Sequence, residues 1–316
     1  MNTRLDGRAI AVMTLLCLIW GGQQVFVKLA IADGLPPALQ AGLRSLIATL
    51  LLLAWIFWRE GGTGLWRLVR RDRSSLPGVV MALLFGGEFL LLYAGLTRTT
   101  ASRAVLFLYT APFFVALGVH LLVPEERLGG RQAAGLVLAF AGVAIAFADG
   151  LRHAAPGSAL GDLMVTLAAM MWAAVTVMVK AVKGLHGVSA AKVLFYQLAG
   201  SIPILLGAAL LAGEAGAVLH AGPIAYASLA YQSGVVAFAS YLAWFWLIGL
   251  YPAGRLAAFS FLTPLFGMVA GIVVLREPAS IFLALALASV AGGLYLVNGP
   301  GGRRLITRVA ERAADG

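Results

Sequence analysis

The sequence predicts an all-α integral membrane protein with ten transmembrane helices in two inverted five-helix repeats. Three observations carry that reading: an apolar composition, a residue pattern that occurs twice, and basic residues confined to one set of loops. Hydrophobic residues make up 61% of the 316 positions and charged residues only 11%. A soluble domain carries about 25% charged residues, so the deficit decides the class. The pattern recurs 152 positions on: Trp20 and Lys28 as Trp172 and Lys180, and Arg103, Pro112 and Glu125 as Arg255, Pro264 and Glu277. Phe107 and Phe259 echo at the same interval, as do Val25-Phe26-Val27-Lys28 and Val177-Met178-Val179-Lys180. A constant offset over that distance means one unit used twice, with almost no net insertion between the copies.

A bilayer crossing needs roughly 20 mostly apolar residues, which sets the spans in order. The first half predicts spans at 9–31, 38–58, 76–97, 101–122 and 131–149. The second predicts 160–182, 191–212, 222–248, 253–275 and 279–298. Turn chemistry separates them at Asp33-Gly34-Leu35-Pro36-Pro37, Pro156-Gly157, Tyr251-Pro252 and Glu277-Pro278. Residues 1–150 then form the first repeat, 151–300 the second, and 301–316 a basic tail. Arg4 and Arg8 before an apolar stretch imitate a signal peptide. That stretch is longer than a typical signal core and carries the repeat's Trp and Lys, so it reads as the first span.

Loop charge gives the orientation. With the N-terminus in the cytoplasm, the inner segments hold most of the 23 basic residues, including Arg59, Arg67, Arg70, Arg71 and Arg73. The outer segments keep little beyond Arg98, Arg152 and Arg276. The asymmetry predicts a multi-pass protein of the bacterial inner membrane with both termini cytoplasmic. An odd number of spans per repeat turns the second copy over, the arrangement that places a site near mid-membrane. The net charge of +10 therefore reports orientation, and nucleic acid is not expected as a partner.

The Trp-Gly start of the first repeat, the Pro-bearing helix before a Glu-containing loop and the two five-helix halves resemble the drug/metabolite transporter superfamily, EamA-type. The resemblance covers about residues 9–299, and YddG-type amino-acid exporters are its most similar branch. It implies a ten-helix fold and a central cavity lined by helices 1, 3, 4, 6, 8 and 9. It also implies export of small metabolites, most of all amino acids, by alternating access.

Glu88, near the middle of span 3, is the most informative acid. A carboxylate facing lipid at that depth costs about 2.5–3.5 kcal/mol or more, so it must face a cavity, find a partner or hold a proton. It could bind a substrate amine or couple protons, or make a structural contact, for example with Arg44. Arg44 itself either captures a substrate carboxylate, or snorkels outward or pairs with Asp33 or Glu88; the structural roles are preferred. Trp20, Gln23 and Gln24 on span 1, Tyr109 on span 4, Trp172 and Thr176 on span 6, and Ser240, Tyr241 and Trp244 on span 8 complete the expected cavity. Ser233, Ser240 and Trp244 share one face at α-helical spacing. Apolar walls with a few polar groups suit a small amphipathic metabolite.

Lys28 and Lys180 close their helices on opposite membrane faces, where the helix dipole favours cations. Arg103 and Arg255 oppose the dipole at the starts of spans 4 and 9 and need a carboxylate or phosphate. Glu125 and Glu277 suit the starts of spans 5 and 10. These charges read as structural or gating groups. Pro112 and Pro264 each remove a backbone donor inside a span, and read as hinges or cavity wall. Gly86, Gly87, Gly95 and Gly249 would permit close sliding, and Trp55, Trp58 and Trp66 belong to an interface belt.

The sequence also excludes. Cys17 is the single cysteine, and His120, His153, His186 and His220 fall in separate places, so no metal site is expected. No P-loop or H-E-x-x-H appears, and no cofactor is expected. Ser189-Ala190-Ala191-Lys192 matches S-x-x-K only as a helix start, and Gly267 with Gly271 reports helix contact. A small-molecule substrate, the lipid bilayer and a monomeric assembly are the expected partners and state. The rival functions are an exporter of drugs or lipid-like amphiphiles from the same superfamily and, from other classes, a membrane enzyme or a structural subunit.

Overall fold

The computed structural model describes residues 5–96, 98–99, 101–148, 158–275 and 281–299. Among these there are helices and no strands. The ten spans are α1 (Gly7–Ala32), α2 (Pro37–Val69), α3 (Ser75–Leu96), α4 in two pieces (α4a, Ala101–Leu108; α4b, Ala111–Leu122) and α5 (Gly130–Ala146). They continue as α6 (Ser158–Ala181), α7 (Ala190–Leu211), α8 (Pro223–Leu250), α9 in two pieces (α9a, Ala253–Phe259; α9b, Leu262–Leu275) and α10 (Ile281–Asn298). Eight are long and apolar enough to cross a bilayer by themselves. The shorter α5, with 17 residues, reaches about 26 Å, close to the roughly 30 Å hydrocarbon core. Large apolar side chains such as Leu15, Leu50, Phe57, Leu83, Leu121 and Leu163 point out of the bundle, which only lipid tolerates on that scale.

The packing repeats with the sequence. The contact of α1 with α9 is matched by that of α6 with α4, α1–α8 by α6–α3, and α2–α8 by α7–α3. The pairs α2–α7, α4–α9 and α5–α10 are their own counterparts. Advancing every label by one repeat therefore maps the packing onto itself, as a pseudo-twofold between the halves requires. Glycine allows close approaches among these pairs: a Cβ at Gly293 on α10 would sit 2.5 Å from the Gly135 carbonyl oxygen on α5.

Three elements depart from the expected spans. α2 runs past position 58, because the chain turns at Gly61 (φ +62°) and resumes as a helix to Val69. Only glycine adopts that conformation without strain. Trp58 before the turn and Trp66 after it are both exposed, with basic residues around them. α4 and α9, where Pro112 and Pro264 were read as hinges or cavity wall, are each broken into two helices. Residue 112 is the second residue of α4b and residue 264 the third of α9b, so each proline opens a new helix. A proline has no N–H to donate and its ring crowds the carbonyl four residues back, at Leu108 and Ser260, and the break therefore falls N-terminal to the ring. In α8, Tyr231–Ser240 is π-helical, which alters the seven-residue step expected from Ser233 to Ser240, while the step from Ser240 to Trp244 runs into α-helix and both meet Trp20; Ser233 bonds the Leu229 carbonyl at 2.7 Å.

The bent end of α2 is clamped by Lys192. Its ammonium donates to the Arg67 and Arg70 carbonyls (3.1 and 3.0 Å) and to Asp72 (2.7 Å). Lys192 and the Ser74 hydroxyl and amide hold the Asp72 carboxyl below the usual carboxylate range. A depressed carboxyl stabilises the fold above its unfolded pKa and loses that contribution as pH falls through the folded value, so this clamp persists through neutral and mildly acid pH. Lys192→Met leaves three acceptors unmet and is expected to cost about 2 kcal/mol. Thermal unfolding of the detergent-solubilised protein at pH 7 checks it.

Candidate functional site

Between the halves lies a cavity of about 140 Å³. Eight expected residues line it: Trp20, Gln23, Glu88, Tyr109, Trp172, Thr176, Tyr241 and Trp244. The two helix breaks face it, through Leu108, Tyr109 and Ala111 on α4 and Ser260 on α9. Broken backbone at this depth is tolerated where a cavity satisfies it. α7 joins the wall through Gln197, and α3 adds Phe85, Phe89 and Leu92; the residues had not marked these. Ser240 stands one layer back, accepting from Trp20 Nε1 at 2.8 Å and donating to the Val236 carbonyl at 2.6 Å. The Gln24 side chain lies outside the described residues.

Aromatic rings fix the walls. Trp172 stacks on Trp244 with centroids 5.5 Å apart, and Trp20 meets Trp244 edge-on at 5.6 Å. Tyr241 packs edge-on against both Trp20 and Phe85. Such pairs contribute about 0.5–1.5 kcal/mol each beyond area burial. The pocket thus keeps its shape without a ligand and offers an apolar slot with few polar groups.

Glu88 is that slot's charge. It is buried at 6% exposure, and its Oε2 has no hydrogen-bond partner. Arg44 is buried at 1%, so it does not snorkel to a headgroup. Its guanidinium lies over the Phe89 ring, 4.1 Å from the centroid, and its Nε and Nη2 have no partner. It is not paired with Asp33, whose Oδ2 accepts from the Ala225 amide. The two charges feel one another without forming an ion pair, because no contact of 4.0 Å or less joins them. A buried carboxyl and a buried guanidinium, each with polar atoms left unpartnered, flank one aromatic wall.

Polar ties close both ends of the bundle, each joining one half to the other. At the end holding the N-terminus, Glu126 meets Lys180 at 3.4 Å and accepts from the Ala253 amide at 2.6 Å, capping α9a. Beside it the Tyr251 hydroxyl donates to Asp6 at 3.0 Å. Sequence reasoning had chosen Glu125 from its echo Glu277; Glu125 is exposed and the neighbouring Glu126 is the buried acid. Glu277 lies outside the described residues. At the opposite end Arg103 pairs with Asp162 on α6, and the Thr99 hydroxyl donates to the same carboxylate at 2.6 Å. That carboxylate answers the need of a cation at a helix start. Asp33 caps α8 and Glu214 caps α2, through the Ala225 and Leu39 amides. Lys28 is exposed at this end and Arg255 partly buried at the other. Gly86 and Gly95 stand at close helix contacts, while Gly249 faces open space.

A ten-helix membrane bundle with a pseudo-twofold, two broken helices facing a central cavity and ties at both ends is the class of secondary transporter. The EamA-like transporter family model matches residues 7–148 and again 159–299, and the chain belongs to that family, within the drug/metabolite transporter superfamily. It is a multi-pass membrane transporter rather than an enzyme. An uncharacterized transporter of Archaeoglobus fulgidus is 29% identical, over 93% of this chain and 98% of the relative. Probable amino-acid metabolite efflux pumps of Escherichia coli and Salmonella typhimurium are 26% and 27% identical. Those alignments cover 93% and 89% of this chain and 95% and 92% of the relatives. A solved crystal structure at 20% identity superposes with a TM-score of 0.75 over 92% of this chain and 97% of its own, which shows the fold.

Proposed function

We propose that this transporter exports small zwitterionic metabolites, foremost amino acids with uncharged side chains, across the bacterial inner membrane. The observation that carries the reading is Glu88: a buried carboxylate with an open oxygen in the wall of an aromatic cavity. A substrate ammonium would complete that carboxylate, and the Trp20, Trp172 and Trp244 rings would hold an apolar side chain. The cavity volume suits a metabolite rather than a bulky drug. The names of the efflux-pump relatives agree with the assignment.

In this reading both termini are cytoplasmic. Residues 1–150 and 151–300 act as two rocking units in a monomer, followed by the tail at 301–316. The ties at Glu126 and Lys180 close the inner end and those at Arg103 and Asp162 the outer end, while the breaks before Pro112 and Pro264 flex. Counterflow in proteoliposomes tests the proposal. Preloaded neutral amino acids are expected to drive uptake of a labelled one, in competition with one another. Failure of every amino acid, with transport of a cationic drug instead, would replace this reading by the drug-exporter one.

A further inference from the structure

A second hollow, of about 810 Å³, opens on the side of the bundle at the end holding the N-terminus. It is roughly six times the volume of the central cavity and shares no lining residue with it. Its walls are α2 on both sides of the Gly61 turn, the start of α7, and the face of α8 turned away from the cavity. α8 therefore separates two spaces: Tyr241, Trp244 and Phe245 look into one, Phe238, Leu242 and Trp246 into the other.

The lining has two chemistries. Trp55, Phe238, Leu242 and Trp246 make a deep apolar and aromatic wall. Arg8 and Arg67 line the hollow beside one acid, Glu60, and Asp6, close enough to Arg8 to interact with it, is already bonded to the Tyr251 hydroxyl and the Ala9 amide. The Arg8 guanidinium lies 5.8 Å from the Trp246 ring centroid. Arg67 has Glu60 at 3.5 Å, but both side chains are exposed (68% and 45%), and such surface pairs contribute about 0–1 kcal/mol. Arg59 does not line the hollow but lies over the Trp55 ring, at 5.1 Å. Lys192 also lines the hollow, yet its three donors are taken up in the α2 clamp.

A small soluble anion would match the arginines and leave the indole wall wet. An uncharged apolar ligand would match the wall and strand the arginines. An amphiphile with an anionic head and a hydrocarbon tail satisfies both. Guanidinium forks match phosphate oxygens, and tryptophan lines the boundary where head meets tail. Trp58 before the Gly61 turn and Trp66 after it are both exposed, which puts the rim at headgroup level.

We propose that this groove binds one anionic phospholipid, its phosphate held by Arg8 and Arg67 and its chain against Trp55, Leu242 and Trp246. A lipid wedged there braces α8 from behind and so couples membrane composition to the cavity. The assignment does not depend on which substrate the transporter carries.

Native mass spectrometry of the delipidated, detergent-solubilised protein tests it, with phosphatidylglycerol or phosphatidylcholine added. One phosphatidylglycerol is expected to be retained at least fivefold more tightly than phosphatidylcholine. Arg8→Gln with Arg67→Gln should abolish that preference, and Arg71→Gln with Arg127→Gln, the same loss of charge away from the groove, should leave it intact. Leu242→Trp, which keeps every charge and fills the wall, should also expel the lipid. Equal retention of both lipids, equal losses from the two double variants, or displacement by millimolar inorganic phosphate would overturn the proposal.

Discussion

Glu88→Gln is expected to lower export at least tenfold while the protein still folds and inserts. Glutamine matches glutamate in volume, so the cavity that Glu88 lines together with Phe85 and the indoles keeps its shape. What disappears is the negative charge, and with it the attraction for a substrate ammonium in a site that excludes most water, where such interactions are strongest. The same substitution bears on Arg44, which then lies 1% exposed with no anion near it. Removing one member of a buried opposite-charge couple is strongly destabilising, by about 3–5 kcal/mol for pairs in direct contact. Here the charges do not touch, so a smaller loss, about 1–2 kcal/mol, is expected by that scaling. Arg44→Gln should cost a similar amount by stranding Glu88. The double variant should recover part of both losses, because neither charge is left behind. Melting temperatures of the four proteins in detergent, beside their proteoliposome fluxes, separate the roles. Full flux in Glu88→Gln would remove the carboxylate from substrate binding. Strict additivity of the two stability losses would remove the coupling.

The repeat was legible because it is written in residue identity: the echoes of Trp20, Lys28 and Pro112 fixed two units before any contact was seen, and the packing obeys the same mapping. The cavity was legible for the same reason in its aromatic half. An intramembrane Glu is costly against lipid and so announces a protected place, and the Trp20–Trp172 echo marks the aromatic wall beside it. The remainder needed three dimensions. Gln197 carries no echo, since the matching position in the first half is Ser45, and an amide bonded to its own helix at the Val193 carbonyl leaves no trace in hydropathy. Asp162 looked like any acid in a helix's opening turns until Arg103 and Thr99 converged on it. Choosing Glu125 over Glu126 shows the limit of the offset itself. Echo finds the loop, but which of two adjacent acids turns inward depends on the single 3₁₀ turn at Pro124–Glu126. Backbone register is the least visible layer: nothing in the apolar run 231–240 distinguishes a π-helix from an α-helix, and only Gly61-Gly62 hinted that α2 would turn.

The second large effect is expected at the end holding the N-terminus. Glu126 and Lys180 are nearly buried (side-chain exposures 3% and 7%), so losing either leaves a charge in a poor solvent for it. Glu126→Gln keeps an acceptor for the Ala253 amide and removes only the charge opposite Lys180; Lys180→Met removes the other member. A penalty of about 2 kcal/mol on the closed arrangement would shift its population against an opened one roughly 30-fold. Cys17 offers a native reporter. It is the chain's single cysteine, fully buried, and its thiol donates to the Phe259 carbonyl at 3.2 Å, at the last residue of α9a. Rocking α9a away from α1 must break that contact and admit solvent. Maleimide labelling of Cys17 is therefore expected to be slow in the wild type and at least tenfold faster in either single variant. The double variant, Glu126→Gln with Lys180→Met, should return toward the slow rate, because replacing both members of a buried pair leaves no orphaned charge. A double variant as fast as the singles would mean that the Glu126 and Lys180 side chains hold this end shut through packing rather than through their charges. Unchanged labelling in all three would place the closure elsewhere, at Tyr251 and Asp6.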